Sequence, residues 1–351
     1  MLKKLKLTNF RNFTNKEIEF SEGVNVINAP NAKGKTNILE AIFFLATGKS
    51  FKARKEEECI KHNVEIARIS AYGLEHNALE IVLTKGVDGL PAGRQGWPKK
   101  KLLVNGIPKR AIDFSDNIKT VLFGPWDMDL VTGPPAIRRK FLDTVLSQVD
   151  REYRRTIGSY EKGIRQRNRL LFRIREENVS RNNLLFWNQL LIKNGNYITE
   201  KRQDLIEFIN SRWSLITGHY SLEYDSSVIS EGRLEQYKNE EIATGMTLVG
   251  PHRDDFVFQT LNSKSEILNL ATYGSRGEQR MAILWLKLAE LSFVEQKTSE
   301  LPILLLDDIF SELDHHHRKV VLDNIRNHQV IITSADKHHI EGLITDKIIN
   351  I

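Results

Sequence analysis

Two short stretches at opposite ends of the 351-residue chain constrain its fold more than anything between them. Near the N-terminus, the apolar run Val24–Asn28 leads through Ala29-Pro30-Asn31-Ala32-Lys33-Gly34-Lys35-Thr36 into Thr36–Thr47, where Ile38, Leu39, Ile42, Phe43, Leu45 and Ala46 have helical spacing. Near the C-terminus, Leu301–Leu306 is continuously apolar and stops at Asp307-Asp308; Gln329–Thr333 is a second such run. Continuous apolar runs suit strands buried on both faces of a parallel sheet. No strand is buried that way alone, so the two ends of the chain are expected to share one α/β unit, with the middle inserted into it.

The middle has a different texture. The chain opens with alternating residues that read as strands at about 2–9 and 16–20, and short strands continue to residue 104. Residues 86–100, with four glycines and two prolines, read as an inserted loop. No proline then occurs between Pro135 and Pro251. Leu184, Trp187, Leu191, Ile198, Leu205, Ile209, Trp213 and Ile216 recur at helical spacings, an amphipathic stripe on the order of 50 Å long. The expected architecture is an α/β head built from 1–135 and 245–351, with a mostly helical arm over 136–244. Ser275–Val294 reads as a further helix.

Composition narrows the setting. The longest uninterrupted apolar runs, Ala41–Ala46 and Met281–Leu286, are six residues, against about 20 for a spanning helix, so no membrane partner is expected. The N-terminus lacks a signal-like apolar core, and Cys59 is the single cysteine, which excludes an internal disulfide framework; a reducing, cytoplasmic setting is expected. Of the formal charge of +6, the segment Arg151–Glu177 carries nine Lys/Arg against four Asp/Glu. That concentration is the footprint of a polyanion partner. Arg151, Arg154, Arg155, Lys162, Arg165, Arg167 and Arg169 are candidate contacts to the phosphates of such a partner, giving affinity without sequence readout. The interleaved Tyr153, Tyr160 and Phe172 fit either base stacking or the core, and the core is favoured.

The loop Ala29–Thr36 carries the Gly-Lys-Thr end of a phosphate-binding loop between a strand and a helix, with Ala29 in place of the pattern's first glycine. Gly34 permits close backbone approach, and amides at the helix N-terminus point at phosphates. Lys35 would bridge the β- and γ-phosphates, and the Thr36 hydroxyl would ligate Mg²⁺. Alanine at position 29 or 32 is costly only where the backbone needs positive φ. Asp307 would hold Mg²⁺ directly or through water. Asp308 would orient or deprotonate an attacking water, although taken alone it is also a plausible helix cap. The three histidines 315–317 do not face one ligand from a helix.

Upstream of the carboxylates, Tyr273-Gly274-Ser275-Arg276-Gly277-Glu278-Gln279-Arg280 resembles the LSGGQ signature of ABC-type ATPases. Ser311-Glu312-Leu313-Asp314 resembles their D-loop, and Ser334 stands roughly where they carry a switch histidine. The opening Leu7-Thr8-Asn9-Phe10-Arg11-Asn12-Phe13 is similar to the SMC-like branch of that superfamily. Asn37-Ile38-Leu39-Glu40-Ala41-Ile42, Gly48-Lys49-Ser50-Phe51, Arg138-Arg139-Lys140-Phe141-Leu142-Asp143 and Gly250-Pro251-His252-Arg253-Asp254-Asp255 resemble, within that branch, the RecF family of bacterial recombination mediators. Three departures stand out. Ala29 and Ala32 replace glycines, the 86–100 loop is longer than usual, and Arg276 and Glu278 vary the signature.

The resemblance implies an ABC-type P-loop ATPase head with an inserted helical arm. It implies ATP and Mg²⁺ as ligands, with Ala29–Asn37 around the nucleotide. Ser275, Arg276, Gly277, Glu278 and Gln279 would act in trans on ATP held by a second copy, so that ATP drives a homodimer and slow hydrolysis releases it. Double-stranded DNA, gaps and single-strand/double-strand junctions are the implied substrates. RecO and RecR are the implied partners, and RecA loading in replication, repair and the SOS response is the implied role. Gly250–Asp255 would rejoin the arm to the head, and for His252-Arg253-Asp254 a structural junction is favoured over catalysis. A transporter ATPase subunit and a non-hydrolysing ATP-gated DNA clamp are the alternative readings.

Overall fold

The computed structural model describes residues 1–74, 77–85, 99–212, 215–216, 219–261, 266–311, 315–325, 327–335 and 345–351. Most of the 86–100 loop, Trp213 of the amphipathic stripe and three D-loop residues (Glu312, Leu313 and Asp314) lie outside the described residues. Packing divides the chain into two compact units, 1–126 with 294–351, and 127–293.

The first unit begins with strands β1 (Lys4–Phe10), β2 (Phe13–Glu19), β3 (Val24–Asn28), β4 (Ile66–Leu74), β5 (Asn77–Thr84), β6 (Lys100–Val104), β7 (Ile107–Pro108) and β8 (Thr120–Phe123). All but β3 and β8 form one antiparallel sheet in the order β2-β1-β4-β5-β6-β7. The loop helix, Lys35–Thr47, buries Ile38, Leu39, Ala41, Ile42, Phe43, Phe44, Leu45 and Ala46. A helix apolar on nearly every side needs cover on more than one. Leu5 and Leu7 of β1, Ile69 of β4, and Ile27, Leu305 and Ile331 from the chain ends share its core.

The second unit supplies β9 (Tyr220–Asp225), β10 (Asp255–Leu261) and β11 (Ile267–Asn269), and the first resumes with β12 (Ile303–Asp307), β13 (Val330–Ser334) and β14 (Lys347–Asn350). The order β14-β3-β13-β12-β8 is parallel throughout. The two ends of the chain therefore share one buried sheet, as their apolar runs require. The carboxyl ends of β3, β13 and β12 lie side by side, the edge at which such sheets take ligands.

In the second unit, two long helices, Arg151–Glu177 and Leu185–Asn210, pack against each other as an antiparallel pair. Asp150 caps the first by accepting from the Tyr153 amide. Contacts run in opposite directions along the pair: Tyr197 Oη donates to Asp150 at 2.8 Å, Asn194 to Ser159 at 3.1 Å, and Arg167 to Asn188 at 2.8 Å. Gly163 allows the close approach, since a Cβ there would lie 2.8–2.9 Å from Leu190 and Leu191.

Two expectations for the arm change. The helix that carries most of the stripe ends at Asn210 and is about 39 Å long. The chain then enters β9, whose buried Tyr220 and Leu222 alternate with partly exposed neighbours and pair with β10. Because β9 lies in the insertion and β10 follows the Gly250–Asp255 stretch, packing sets the unit limits at 126/127 and 293/294, not at 135/136 and 244/245.

Candidate nucleotide site

The phosphate loop follows β3 and ends where Gly34, φ +100°, caps the loop helix. Ala32 also has positive φ, +65°, while Ala29 does not. Left-handed residues on either side of Lys33 give the alternating backbone of an anion-binding nest. Alanine at 29 is thus free of strain and alanine at 32 is not. Lys35 is largely buried and folds onto the loop: its Nζ donates to the carbonyls of Ala29 at 2.6 Å and Pro30 at 3.2 Å, and to Asn31 Oδ1 at 3.4 Å. An ammonium held only by neutral oxygens at a helix N-terminus fits an anionic ligand.

Thr36 Oγ1 donates to Asp307 Oδ2 at 2.8 Å, joining the loop to the end of β12 across 271 residues. Thr333 donates from its hydroxyl to Asp307 Oδ1 at 2.6 Å, and the Asp308 amide donates to that hydroxyl at 3.1 Å. Asp308 carries φ +55°, a strained conformation at a strand end. Ser334, at the end of β13, is buried, and its carbonyl accepts from the Ala29 amide at 3.3 Å. Among the described residues no group of three or more His, Cys, Asp or Glu side chains could hold a metal. Thr36 and Asp307 fit Mg²⁺ only where a phosphate completes the ligand set, which is how that ion is usually held.

The β1–β2 turn, whose role no sequence motif explained, lies against this loop. Arg11 donates from Nε and Nη2 to the buried carboxylate of Glu40 in the loop helix, at 2.8 and 2.5 Å, and from Nη1 to the Glu58 carbonyl at 2.7 Å. Asn12 Nδ2 donates to the Lys33 carbonyl at 3.0 Å and Asn37 Nδ2 donates to Asn12 Oδ1 at 2.8 Å. Glu40 also accepts from Ser50, and Cys59 packs beside it. Burial, and then the Glu40 charge, push the Cys59 thiol up to about 12, so this cysteine is inert.

The signature stretch belongs to the second unit. Ser275 and Glu278 form a capping box: Ser275 N and Oγ donate to Glu278 Oε2 at 2.8 and 2.7 Å, and the Glu278 amide donates back to Ser275 Oγ at 3.3 Å. The Ser275 hydroxyl and amide hold the Glu278 carboxyl below its ordinary range. Gln279 is buried and donates to the carbonyls of Leu270 and Gly274. Ser275, Arg276, Gly277 and Tyr273 are exposed.

On the first arm helix, Arg151, Arg155, Lys162, Arg165 and Arg169 are exposed and fall within an arc of about 80°. Arg154 is half-buried and donates to the Ser147 carbonyl at 2.7 Å. Arg167 is not on that face. It is buried, 2.6 Å from Glu241, and also donates to Thr247 and Asn188. Tyr153 and Tyr160 are core residues, and Phe172 is half-exposed.

Gly250–Asp255 is fully engaged. Asp254 accepts from Arg202 at 2.9 Å, from the Ser227 amide at 2.7 Å and from Tyr224. Asp255 takes a two-pronged contact from Arg138, and Arg139 donates to the Asp254 carbonyl. His252 Nδ1 meets Tyr160 Oη at 2.9 Å and Nε2 meets the Thr247 carbonyl at 3.0 Å. The stretch lies wholly inside the second unit, so it does not rejoin the arm to the head; its polar groups are committed to holding that unit together.

The RecF/RecN/SMC N-terminal domain family matches residues 1–351. The DNA replication and repair protein RecF of Lachnoclostridium phytofermentans is 37% identical, covering 95% of this chain and 92% of its own. That of Halalkalibacterium halodurans is 36% identical with the same coverage. Solved structures of the recombination mediator protein RecF in the RecFOR pathway superpose with TM-scores of 0.85 for the ATPrS form and 0.83 for the ATP form. Their identities are 30% and 31%, covering 100% and 99% of this chain and 97% and 95% of theirs. An Smc head bound to the C-winged helix domain of ScpA, 17% identical over 99% of this chain and 93% of its own, shares the fold at a TM-score of 0.55. With a family model matched over its whole length and relatives more than a third identical over nearly all of it, the chain belongs to the RecF family of the RecF/RecN/SMC N-terminal domain proteins.

Proposed function

We propose that the chain is an ATPase whose nucleotide state times its residence on DNA. The observation that carries this reading is the Thr36–Asp307 hydrogen bond, which brings the phosphate loop and the acidic strand to one point. There Lys35 exchanges loop carbonyls for phosphates, Thr36 and Asp307 hold Mg²⁺ on the nucleotide, and Asp308 orients or deprotonates the attacking water. The metal-bound nucleotide supplies the phosphoryl group, and turnover is slow. Ser275 and Gly277 are exposed at a helix start and serve ATP held by a second copy, so nucleotide binding is linked to dimerisation.

The basic face of the first arm helix, about 27 Å from Arg151 to Arg169, takes the DNA backbone, at gaps and single-strand/double-strand junctions. By their names, the solved relatives work in the RecFOR pathway. On that basis the partners are RecO and RecR, and the outcome is RecA loading in repair and the SOS response, in the cytoplasm.

Analytical ultracentrifugation with ATP and Mg²⁺, with and without gapped DNA, tests the core of this. An ATP-dependent dimer in wild type that is lost in Ser275→Arg supports it. A monomer throughout, at concentrations where ATP is bound, removes the action in trans. Reversing Arg155, Lys162, Arg165 and Arg169 to Glu should flatten the salt dependence of DNA binding by roughly one unit of slope per lost phosphate contact. An unchanged slope moves the DNA surface elsewhere.

A further inference from the structure

The hairpin turn lies over a peptide unit of the phosphate loop that can invert at little backbone cost. A peptide plane flips by changing ψ of one residue and φ of the next. At Lys33–Gly34 the second residue is glycine, which tolerates either sign of φ. In a trans peptide, C=O and N–H point to opposite sides. The Lys33 carbonyl is held by Asn12 Nδ2 at 3.0 Å, so the Gly34 N–H points away from the hairpin. The hairpin also closes directly over Gly34: a Cβ there would lie 2.6 Å from the Asn12 side-chain amide and 2.9 Å from the Phe13 ring. Asn12 is itself oriented, because Asn37 Nδ2 donates to its oxygen and leaves its nitrogen to serve the carbonyl. Arg11, φ +52°, ties the turn to Glu40 of the same helix and to the Glu58 carbonyl.

We propose that Asn12 is a positioning residue for the nucleotide phosphates, holding the Lys33–Gly34 peptide so that the Gly34 N–H stays turned into the loop. This rests on the nucleotide reading above. Asn12 is exposed, and water can replace its bond to a carbonyl, so the contact adds little to folding. Its value lies in removing the inverted peptide, which would present a carbonyl to an anion.

The test compares wild type, Asn12→Ala, Asn37→Ala and Lys35→Ala as full chains. Binding of a non-hydrolysed ATP analogue with Mg²⁺ is measured by calorimetry, and melting is measured without nucleotide. Asn12→Ala is expected to bind about fivefold to tenfold more weakly with an unchanged melting temperature, and Asn37→Ala to show a smaller loss. Labelling with carbonyl-¹³C lysine and ¹⁵N glycine selects the three Lys-Gly peptides of the chain, at 33–34, 85–86 and 162–163. The resonance lost in Lys33→Arg reports Gly34, and it should shift or double in Asn12→Ala. Unchanged affinity with an unmoved Gly34 signal, in a wild type that binds, overturns the role of Asn12 alone. A wild type no better than Lys35→Ala overturns the nucleotide reading and this proposal with it.

Discussion

Ala32 holds a backbone conformation that costs a side-chain-bearing residue about 1–2 kcal/mol, and its φ of +65° is not shared by Ala29. Ala32→Gly removes that cost, offset in part by a freer unfolded chain. The variant is expected to gain about 0.5–1 kcal/mol in urea titration, and a net loss would mean that the loop relaxes elsewhere. Gly34, Lys35 and Thr36 were legible because the motif is local. Which of two alanines is strained depends on φ, which sequence does not display. Asn12 carries no such local signal, for its role depends on a loop more than twenty residues away. His252 carries a second prediction. Burial, with Arg253 and Arg139, pushes its imidazole down to about 4, against the Thr247 carbonyl and Asp254. The unfolded value is about 6.5, so between these limits the unfolded chain binds the extra proton. The contribution to stability is complete above pH 6.5 and falls as acid is added, down to about pH 4. His328, buried and also lowered, acts in the same direction. His252→Gln should flatten the fall in urea midpoint between pH 6.5 and 4, and an equal fall in the variant would place the acid sensitivity elsewhere.

Along the arm helices the same residue type does two kinds of work, and helical geometry separates them. Arg167 stands about 120° around the helix from Arg155, on the side that buries Tyr160 and Leu171. That angle was available in the sequence and takes Arg167 off the basic face. Arg202 was legible as buried in the same way, since it stands between Ile198 and Leu205 of the apolar stripe, but its partners were not, because they come from distant segments. It is 2% exposed and bonds Asp143 at 2.8 Å, Asp254 at 2.9 Å and the Pro251 carbonyl at 2.7 Å. Removing one member of a buried ion cluster leaves the others uncompensated, typically at a cost of about 3–5 kcal/mol. Arg202→Ala should therefore unfold at much lower denaturant. Arg155→Ala should stay within about 0.5 kcal/mol of wild type while weakening DNA binding. Equal stability of the two variants would deny the cluster its role. The alternating pattern at Tyr220–Asp225 marks β9, but it was absorbed into a proline-free tract whose average looks helical. A six-residue strand is too short to stand out against about a hundred residues of helix-like composition.

At the scale of the whole molecule, the head was legible because a buried parallel sheet makes a demand that neither end of the chain meets alone. β3 from one end pairs with β13 and β14 from the other. The unit limits were less legible, because packing rather than chain order assigns β9–β11 and most of the signature helix to the inserted unit. Whether the signature acts on its own chain or on a second copy is a property of an assembly, and mixing two inactive chains tests it directly. In a dimer with composite sites, each site joins one copy's Lys35 to the other's Ser275. Lys35→Ala and Ser275→Arg homodimers would each have two defective sites, so neither chain alone is expected to dimerise on ATP. A mixed dimer concentrates both defects in one site and leaves the other intact. Only mixed dimers then carry an intact site, so the mixture should recover ATPase activity that neither chain has alone, up to about half the wild-type rate if the sites turn over independently. Two chains that remain as inactive together as apart, while sedimenting as a mixed dimer, would show that each copy uses its own signature and would detach hydrolysis from dimerisation.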